Sequence, residues 1–253
     1  MAHARKLGLK FFGGPIAEIA AQRTVVGDLT TIDPDPSGGY TYALLDDADG
    51  RFAIHDDKIV VKNGFRLDYE QAASHTIKVR VIDSAGLTLD RTFTMAVKDV
   101  SPETTAGSAE ADQFVGGAGA DRLGGGDGDD RLNGRAGIDI LTGGQGRDTF
   151  VFDIAPVKKG KPDTITDFSA KDDSIWFDDA FDKAGKGSLV RPGKVAKSVF
   201  AFDKAKDKGD RFVYHKKTGI LAYDKDGSGQ AAEIAIVKLK PNAVLTHADL
   251  FLI

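Results

Sequence analysis

Residues 116–151 read GGAGADRLG, GGDGDDRLN, GRAGIDILT and GGQGRDTFV, four units of nine residues without an insertion. Each unit has Asp at its sixth position and an apolar residue at its eighth position: Asp121, Asp130, Asp139 and Asp148, then Leu123, Leu132, Leu141 and Phe150. Residues 107–115 keep the same two anchors, Asp112 and Phe114, as a capping repeat does. A flexible glycine-rich linker would not hold Asp and Leu in a nine-residue phase. The block therefore predicts stacked repeats.

The glycines and aspartates of each unit suit a site for a hard cation. Glycines at the first, second and fourth positions permit left-handed backbone angles, which turn carbonyl oxygens towards one point. The Asp adds a carboxylate, so each turn offers the all-oxygen ligand shell that calcium prefers. The last three positions form a short strand whose apolar residue is buried only when repeats stack. The sequence thus predicts Ca²⁺ as the cofactor of a stacked β structure.

The block resembles the GGxGxDxUx repeat of RTX proteins, the hemolysin-type calcium-binding repeat. The resemblance implies a parallel β-roll at 104–153, with two repeats per turn and about two or three calcium ions between loops one turn apart. It pairs aspartates eighteen residues apart: Asp112 with Asp130, Asp121 with Asp139, and Asp130 with Asp148. Arg135, Ser108 and Glu110 stand where the pattern has glycine. The implied metal-site residues are Asp112, Gly117, Gly119, Asp121, Gly126, Gly128, Asp130, Gly137, Asp139, Gly144, Gly146 and Asp148.

Residues 16–103 have the pattern of a β-sandwich. Apolar and polar residues alternate in 77–81 and in 93–97, and a period of two indicates antiparallel strands with one buried face. Turn-forming clusters separate the strands, which is typical of a sandwich. Residues 1–15 are predicted to be a tail, because Phe11-Phe12 is too short an apolar stretch for a cleavable secretory signal.

This sandwich resembles the cadherin-like repeats of bacterial surface and secreted proteins. The residues that carry the resemblance are Glu18, the turn at 33–35, the segment 67–70, the turn at Asp83 and the exit at 99–100. In that family, acidic residues at the two poles of the domain share calcium with adjacent domains. The implied second calcium region has one half-site at Glu18, Asp68, Glu70 and Asp99, and another at Asp33, Asp35 and Asp83. As an alternative, these acids form turns and caps, as Asp often does.

Residues 154–253 resemble the C-terminal part of exported proteins. The segments 163–168 and 173–177 resemble strands that follow the roll in serralysin-like proteins. The segments 218–230, 234–237 and 247–253 resemble the C-terminal domain of proteins exported by type I secretion. The resemblance implies the type I secretion apparatus as a partner, an extracellular location for a bacterial protein, and an uncleaved signal at Asp249, Leu250, Phe251, Leu252 and Ile253. We expect removal of 249–253 to block export without affecting folding in calcium.

The stretch Asp224-x-Asp226-x-Ser228-Gly229 matches the first half of an EF-hand calcium loop. Its twelfth position is Ala235 instead of the bidentate Glu, and strand-like sequence flanks it. We therefore predict a hairpin loop between two strands, with calcium binding as the alternative.

Composition and missing motifs exclude several functional classes. The chain has no Cys, which excludes disulfides and thiol catalysis, and its five His show no HExxH spacing. A GxSxG nucleophile motif is absent, and calcium or turn chemistry explains the many Asp better than a glycosidase site does. A net charge of −4 gives a nucleic-acid partner no electrostatic support. No apolar run approaches about 18 residues, so we expect no membrane span.

Together these features predict an all-β protein: a cadherin-like β-sandwich, a parallel RTX β-roll and a β-rich C-terminal secretion domain. The expected function is that of a secreted, non-catalytic calcium-binding protein. Without metal, the aspartates repel one another and the glycine-rich backbone is costly to order, so extracellular calcium would trigger folding after export. Two alternatives stay open. One is a calcium-dependent surface adhesion or matrix protein with a cell-surface or glycan partner, and the other is the C-terminal fragment of a larger exported RTX enzyme.

Overall fold

The computed structural model describes residues 7–33, 38–154, 160–178, 193–228 and 231–253. The chain divides into two compact units, Met1–Val100 and Ser101–Ile253. Strands dominate both units, which confirms the predicted all-β class. The described helices are short 3-10 turns, and none of them has the length and apolar character of a membrane span.

The first unit is a sandwich of two four-stranded sheets. Its strands are β1 (Gly8–Gly13), β2 (Ile16–Ala17), β3 (Val25–Ile32), β4 (Tyr40–Asp46), β5 (Phe52–His55), β6 (Lys58–Val61), β7 (Ser74–Asp83) and β8 (Thr88–Lys98), with a 3-10 helix at Gly64–Arg66. The sheet orders are β1-β3-β6-β5 and β2-β8-β7-β4. Buried residues of both sheets form one cluster, including Phe52 and Ile59 from the first sheet and Ile77 and Met95 from the second. The alternation that predicted these strands thus makes the core.

The segment Gly8–Gly13 is a strand, although the sequence predicts a tail over 1–15. It pairs antiparallel with β3, and Leu9 lies opposite Thr31. Leu9 is buried in the core, and the Phe11 ring lies 5.7 Å from the ring of Phe93. The short alternation of Leu7, Leu9 and Phe11 is enough to bury one face of an edge strand, although it is too short for a signal sequence.

The second unit contains thirteen described strands in two sheets. They are β9 (Gln113–Val115), β10 (Arg122–Asp127), β11 (Arg131–Asn133), β12 (Ile140–Gln145), β13 (Thr149–Phe152), β14 (Asp163–Ile165), β15 (Ser174–Phe177), β16 (Gly193–Lys194), β17 (Phe200–Phe202), β18 (Phe212–His215), β19 (Ile220–Tyr223), β20 (Ile234–Lys238) and β21 (Leu250–Leu252). Two 3-10 helices lie at Lys197–Val199 and His247–Asp249. The sheet orders are β10-β12-β14-β20-β19-β18-β17 and β16-β21-β15-β13-β11-β9.

The repeat block forms a parallel roll with two repeats per turn. Successive strands alternate between the two sheets, and β10 pairs in parallel with β12 while β11 pairs with β9 and β13. Residues eighteen apart are direct neighbours, as Leu123 is to Leu141 and Leu132 to Phe150. These four side chains and Phe114 are each 1% exposed or less, so the eighth position of every unit fills the interior.

The strands after residue 153 extend the same two sheets. β14 pairs in parallel with β12, and β15 pairs with β13. The turn lengthens here, because Ile140 lies opposite Thr164 and Thr149 opposite Ser174, 24 and 25 residues later. The boundary at 153 between roll and C-terminal domain stays a prediction, and pairing of the described strands is continuous across it.

The C-terminal residues lie inside a sheet. β21 is placed between β15 and β16, and Leu250 and Leu252 are buried. The preceding 3-10 helix has a capping box, in which Thr246 N donates to Asp249 Oδ2 over 2.8 Å. Removal of 249–253 would expose the edges of two strands, so the structure argues against the expectation that folding tolerates this deletion. The role of these residues as an export signal stays a prediction.

The predicted hairpin around Asp224 is confirmed. β19 and β20 are antiparallel neighbours, with Tyr223 opposite Ile234. Asp224 is buried at the start of the loop, and its Oδ1 atom accepts the backbone N–H of Asp226 over 3.2 Å. Gly229 lies outside the described residues.

Candidate metal centres

The sixth-position aspartates of the repeats form two ladders of hydrogen bonds along the roll, one through Asp112, Asp130 and Asp148 and the other through Asp121 and Asp139. In each rung, an Asp Oδ1 atom accepts the backbone N–H of the Asp eighteen residues earlier. The distances are 2.8 Å from Asp112 N to Asp130 Oδ1, 2.9 Å from Asp121 N to Asp139 Oδ1, and 3.0 Å from Asp130 N to Asp148 Oδ1. All five aspartates are buried. The structure thus brings together the three pairs that the resemblance implied.

Both ladders continue beyond the repeats. Glu103 N donates to Asp121 Oδ1 over 2.8 Å, and at the other end Asp163 Oδ1 accepts Asp139 N and Asp173 Oδ1 accepts Asp148 N. Sequence reasoning missed Asp163 and Asp173 as rungs because their spacing departs from eighteen residues. A local signal was present in the sequence. Both aspartates begin the order Asp, any residue, apolar residue, which is also found at the sixth to eighth positions of each repeat.

The second oxygen of four aspartates has no protein partner. The Oδ2 atoms of Asp121, Asp130, Asp139 and Asp148 are buried and accept no hydrogen bond from any described residue. Buried polar atoms in native structures are nearly always paired, so four orphaned carboxylate oxygens, two in each ladder, need an explanation. A hard cation supplies one, because calcium prefers oxygen ligands and carries the compensating charge.

The first glycine of each repeat leaves room beside these oxygens. A β carbon on Gly125 would overlap Asp130 Oδ2 and lie 2.6 Å from the carbonyl oxygen of Gly143. On Gly116, a β carbon would lie 2.5 Å from Asp121 Oδ2. The absence of a β carbon therefore lets a carboxylate oxygen approach the backbone, next to a carbonyl oxygen of the next turn. This donor set fits calcium.

The fourth glycine of each repeat is required by the stacking of turns. A β carbon on Gly137 would overlap the carbonyl oxygen of Gly119, and one on Gly146 would overlap that of Gly128. The second position needs left-handed backbone angles, with φ of +106° at Gly144. Arg135, which replaces glycine there in the third repeat, also has a positive φ of 57°. The third repeat thus keeps the backbone conformation in spite of the arginine.

Burial and mutual repulsion raise the pKa values of the ladder carboxyls. Desolvation, followed by nearby aspartates, raises the pKa of Asp139 to about 6 and that of Asp148 to about 6, and the pKa of Asp130 is raised for the same reasons. Residues 101–154 contain ten acidic and four basic side chains. Ionised carboxylates in the ladders are therefore unfavourable without a counter-charge, and a bound cation would supply that charge.

Serine residues close both ends of the ladder that runs through Asp112, Asp130, Asp148 and Asp173. The Oδ2 atom of Asp112 accepts the backbone N–H and the hydroxyl of Ser108, each over 2.7 Å. Asp173 Oδ2 accepts Ser169 N over 2.8 Å. These serines lie four residues before their aspartates, a position that glycine or arginine holds in the four repeats. At these two ends the protein thus supplies hydrogen-bond donors to the Oδ2 atom, which has no described partner in the interior aspartates.

Two further carboxylates hold the amides of the outer repeats, and both were missed from sequence. Glu103 Oε1 accepts Gly117 N over 3.0 Å, at the first repeat. Asp167 accepts Gly143 N over 3.0 Å and Gly144 N over 2.8 Å, at the fourth. Both residues fall outside the nine-residue phase, so no periodic signal marked them. The charge of Asp167 also contributes to the raised pKa of Asp148.

In the first unit, Glu18, Asp68 and Glu70 converge, and one carboxylate oxygen from each lies within 4.8 Å of the others. Glu18 accepts Tyr69 N over 2.7 Å and Val100 N over 2.6 Å, which fixes its carboxylate. Glu70 Oε2 is buried and accepts no hydrogen bond in the described chain. Burial and then the charge of Glu18 raise the pKa of Glu70 to about 7. This group has the chemistry of a cation site.

The other acids of the predicted second calcium region are not part of this group. Asp99 is exposed and acts on Glu70 through its charge. Asp83 Oδ1 accepts Ala85 N over 2.9 Å and Leu87 N over 2.7 Å, so it shapes the turn between β7 and β8. Asp33 Oδ2 accepts the hydroxyl of Tyr40 over 3.4 Å. Asp35 lies outside the described residues, and among the described ones neither Asp33 nor Asp83 joins a cluster of three carboxylates.

Two family models match the chain. One, described as a cadherin domain, matches residues 13–98, and another, described as an RTX calcium-binding nonapeptide repeat, matches residues 106–141 and 124–153. The chain therefore carries a cadherin domain followed by RTX repeats, as its sequence predicts. The likeness of 154–253 to a secretion domain stays a prediction. No curated protein matches the chain.

Three solved structures have parts that are similar to parts of this chain. Chicken VE-cadherin EC1-2 is 26% identical over 35% of this chain and 47% of its own, with a TM-score of 0.31. Protocadherin gammaB7 EC3-6 is 19% identical over 42% of this chain and 29% of its own, with a TM-score of 0.32. The AlgE6R3 subunit of a mannuronan C5-epimerase from Azotobacter vinelandii is 26% identical over 58% of this chain and 76% of its own, with a TM-score of 0.38. This chain spans less than half the length of the two cadherin fragments.

Proposed function

We propose that this chain is a secreted, non-catalytic calcium-binding protein whose RTX roll folds when it meets calcium outside the cell, after type I export. The observation that carries the proposal is the set of four buried Oδ2 atoms, at Asp121, Asp130, Asp139 and Asp148, that no described group pairs. These atoms lie in RTX repeats, whose calcium-binding character is the family's defining property.

The energetics favour an unfolded roll without metal. An unpaired buried acceptor costs about 1–3 kcal/mol, and more when it is charged, so four such oxygens cost about as much as the whole stability of a small domain. The glycine-rich backbone adds a large ordering cost. Calcium supplies positive charge and oxygen coordination at these positions when bound. Because the sites form only in the folded roll, the binding free energy becomes folding free energy.

The concentration of calcium then decides where folding happens. Extracellular calcium modules commonly have dissociation constants of about 10⁻⁴ to 10⁻³ M. Sites of that affinity would be empty in the cytoplasm and filled outside the cell. The chain would remain unfolded and threadable during export, and its C-terminal signal at 249–253 would still be accessible before β21 forms.

We further infer the residues and the number of ions. We expect each orphaned oxygen to serve as a ligand of one ion, beside the first glycine of its repeat, so the roll would hold four ions. Asp112 and Asp173 bind none through Oδ2, because Ser108 and Ser169 already donate to that atom. The family resemblance implied two or three ions because it counted pairs of aspartates, whereas this number counts the orphaned oxygens.

A calcium titration tests the proposal. Calcium is added to chelator-treated protein and followed by far-UV circular dichroism, with magnesium as control and calorimetry for the number of ions. We expect a cooperative gain of β signal with calcium alone and about four ions in the roll. An unchanged spectrum together with no heat of binding would overturn the proposal.

A second candidate function is calcium-dependent adhesion through the cadherin domain. It is favoured by the group Glu18, Asp68 and Glu70, in which Glu70 Oε2 is a buried oxygen without a described partner. The test is binding of the protein to cells or immobilised glycans with and without chelator. Binding that persists in chelator would contradict a calcium-dependent contact.

A further inference from the structure

We infer that His75 is an acid-sensitive switch in the sandwich of the first unit, where a proton gained by its imidazole destabilises the fold. His75 lies on β7 opposite Met95 of β8, and Met95 is 1% exposed. Residues directly opposite each other in an antiparallel pair share one face of the sheet, so the side chain of His75 is on the core side. Ile77, the next residue of β7 on this face, is fully buried.

The Nε2 atom of His75 is buried and has no hydrogen-bond partner within the described chain. A neutral imidazole can keep this nitrogen without a proton, because only one of its two ring nitrogens is a donor. An imidazolium carries a proton on both nitrogens, so Nε2 would become a buried donor without an acceptor. Protonation of His75 therefore places an unpaired, charged donor in the interior, which costs free energy.

A fixed cation opposes the same proton. The guanidinium of Arg51 donates through Nε to the carbonyl oxygen of Arg66 over 2.7 Å, and through Nη1 to the carbonyl oxygen of Ala48 over 2.9 Å. The side chain of Arg51 is only 18% exposed. These bonds hold its positive charge in place, so the charge cannot easily move away when His75 becomes charged.

The charges around His75 set the direction of its titration. Burial, followed by the charge of Arg51, lowers the pKa of His75, and the charge of Asp49 acts in the opposite direction. The side chain of Asp49 is 89% exposed, so water screens its charge. Arg66, the other nearby cation, donates to the carbonyl oxygen of Asp49 over 3.0 Å. The surroundings of His75 thus disfavour its charged form.

The sign of the effect on stability follows from the lowered pKa. An unfolded histidine titrates at about pH 6.5, so below that pH the unfolded chain binds a proton that the folded sandwich resists. Stability present above about pH 6.5 is therefore lost as the pH falls from there towards the pKa of folded His75. Glu18 and Glu70 act in the opposite direction, because burial raises the pKa of each. The contribution of His75 must therefore be read as a difference between wild type and a variant.

The switch lies on a strand next to the candidate cation group of the first unit. Asp68 and Glu70 belong to the segment before β7, and Glu18 N donates to Lys98 O at the end of β8 over 3.1 Å. Acid would thus weaken the two strands that hold this group in position. The inference needs no calcium at the group, so it can fail independently of both proposed functions.

Urea unfolding of the full chain in saturating calcium, at pH 7.5 and at pH 5, tests the inference. The variants are His75→Leu and His75→Gln, and His55→Gln is the matched control, since the side chain of His55 is 73% exposed in the same domain. Between the two pH values, we expect the unfolding equilibrium constant of wild type to rise at least about threefold more than that of either His75 variant. His55→Gln should keep the wild-type rise within about twofold.

Nuclear magnetic resonance of the histidine Cε1–H groups gives a second readout. The signal that disappears in a folded His75 variant belongs to His75, and either variant is enough for this assignment. We expect the signal to titrate at a lower pH than histidine in the urea-unfolded chain. Titration at or above the unfolded value, or His75 variants that keep the full acid response of wild type, would overturn the inference.

Discussion

The backbone N–H of Asp130 donates to the Oδ1 atom of Asp148 over 3.0 Å, while the Oδ2 atom of the same carboxylate has no described partner. Each interior aspartate thus divides its two oxygens between two tasks. One oxygen joins successive turns of the roll, and the other is left for a cation. A substitution that spares the first oxygen and neutralises the second separates these tasks.

Asparagine is that substitution. We expect Asp130→Asn to raise the calcium concentration at the folding midpoint at least tenfold, because the amide can still accept through its oxygen but cannot supply a carboxylate to calcium. The measurement is a calcium titration by far-UV circular dichroism. Asp127→Asn is the matched control, since Asp127 is exposed in the same repeat, and it should shift the midpoint less than twofold. Equal shifts in the two variants would contradict the assignment.

The serine-closed ends predict a difference in stoichiometry. Asp173→Asn should leave the number of bound ions unchanged, because Ser169 donates to its Oδ2 atom. Asp139→Asn should remove one ion, because its Oδ2 atom is orphaned. Isothermal titration of calcium into chelator-treated protein counts the ions. If Asp173→Asn also loses an ion, the serine does not close the site.

The raised pKa values predict that a fall in pH favours folding of the metal-free protein and weakens calcium binding. The pKa of Asp139 and that of Asp148 are raised to about 6, above the unfolded value of about 4. A raised carboxyl pKa stabilises the fold below the unfolded pKa, and this stability is lost as the pH rises through about 6. Chelated protein should therefore gain β signal between pH 7.5 and pH 5.

Calcium binding should change in the opposite direction. Protons compete with calcium for the same carboxylates, so the calcium midpoint should rise as the pH falls below about 6. Titrations at pH 5 and pH 7.5, read by the same circular dichroism signal, give both quantities. A metal-free spectrum that is the same at the two pH values would contradict the burial argument.

The cadherin domain has its own test at Glu70. Its pKa is raised to about 7 by burial and by Glu18. Glu70→Gln removes charge from a crowded group, so we expect a higher melting temperature than wild type in chelator at pH 8 and a smaller gain on adding calcium. Asp56→Asn, at an exposed turn of the same domain, is the control and should change neither. An unchanged calcium response in Glu70→Gln would exclude a calcium site at Glu70.

Much of the roll could be predicted from sequence because its determinants are local. Glycine positions, the aspartate and the apolar residue recur within nine residues, so the turn, the rung and the buried strand residue are specified in each unit. Two repeats per turn and the pairing of Asp121 with Asp139 came from the family resemblance, and the register confirms both.

What the sequence did not predict depends on tertiary pairing. The rungs at Asp163 and Asp173 sit beyond longer turns, and a periodic search stops where the period changes. Glu103 and Asp167 act on amides that only the folded roll brings near them. The acids of the predicted second calcium region show another limit of the sequence. Glu18, Asp68 and Glu70 converge, whereas Asp83 shapes a turn, and the sequence pattern does not distinguish the two roles.

The C-terminal strand gives the last prediction. Leu250 is fully buried in β21, between β15 and β16, while Ile253 follows the strand and donates its backbone N–H to Phe177 O over 2.8 Å. Leu250→Ala should destabilise the calcium-bound protein by about 2–5 kcal/mol, because it removes a core side chain. Ile253→Ala keeps the backbone bond and should cost less than about 1.5 kcal/mol. Urea unfolding in saturating calcium measures both, and a deletion of 249–253 that unfolds like wild type would show that β21 does not hold the sheet together.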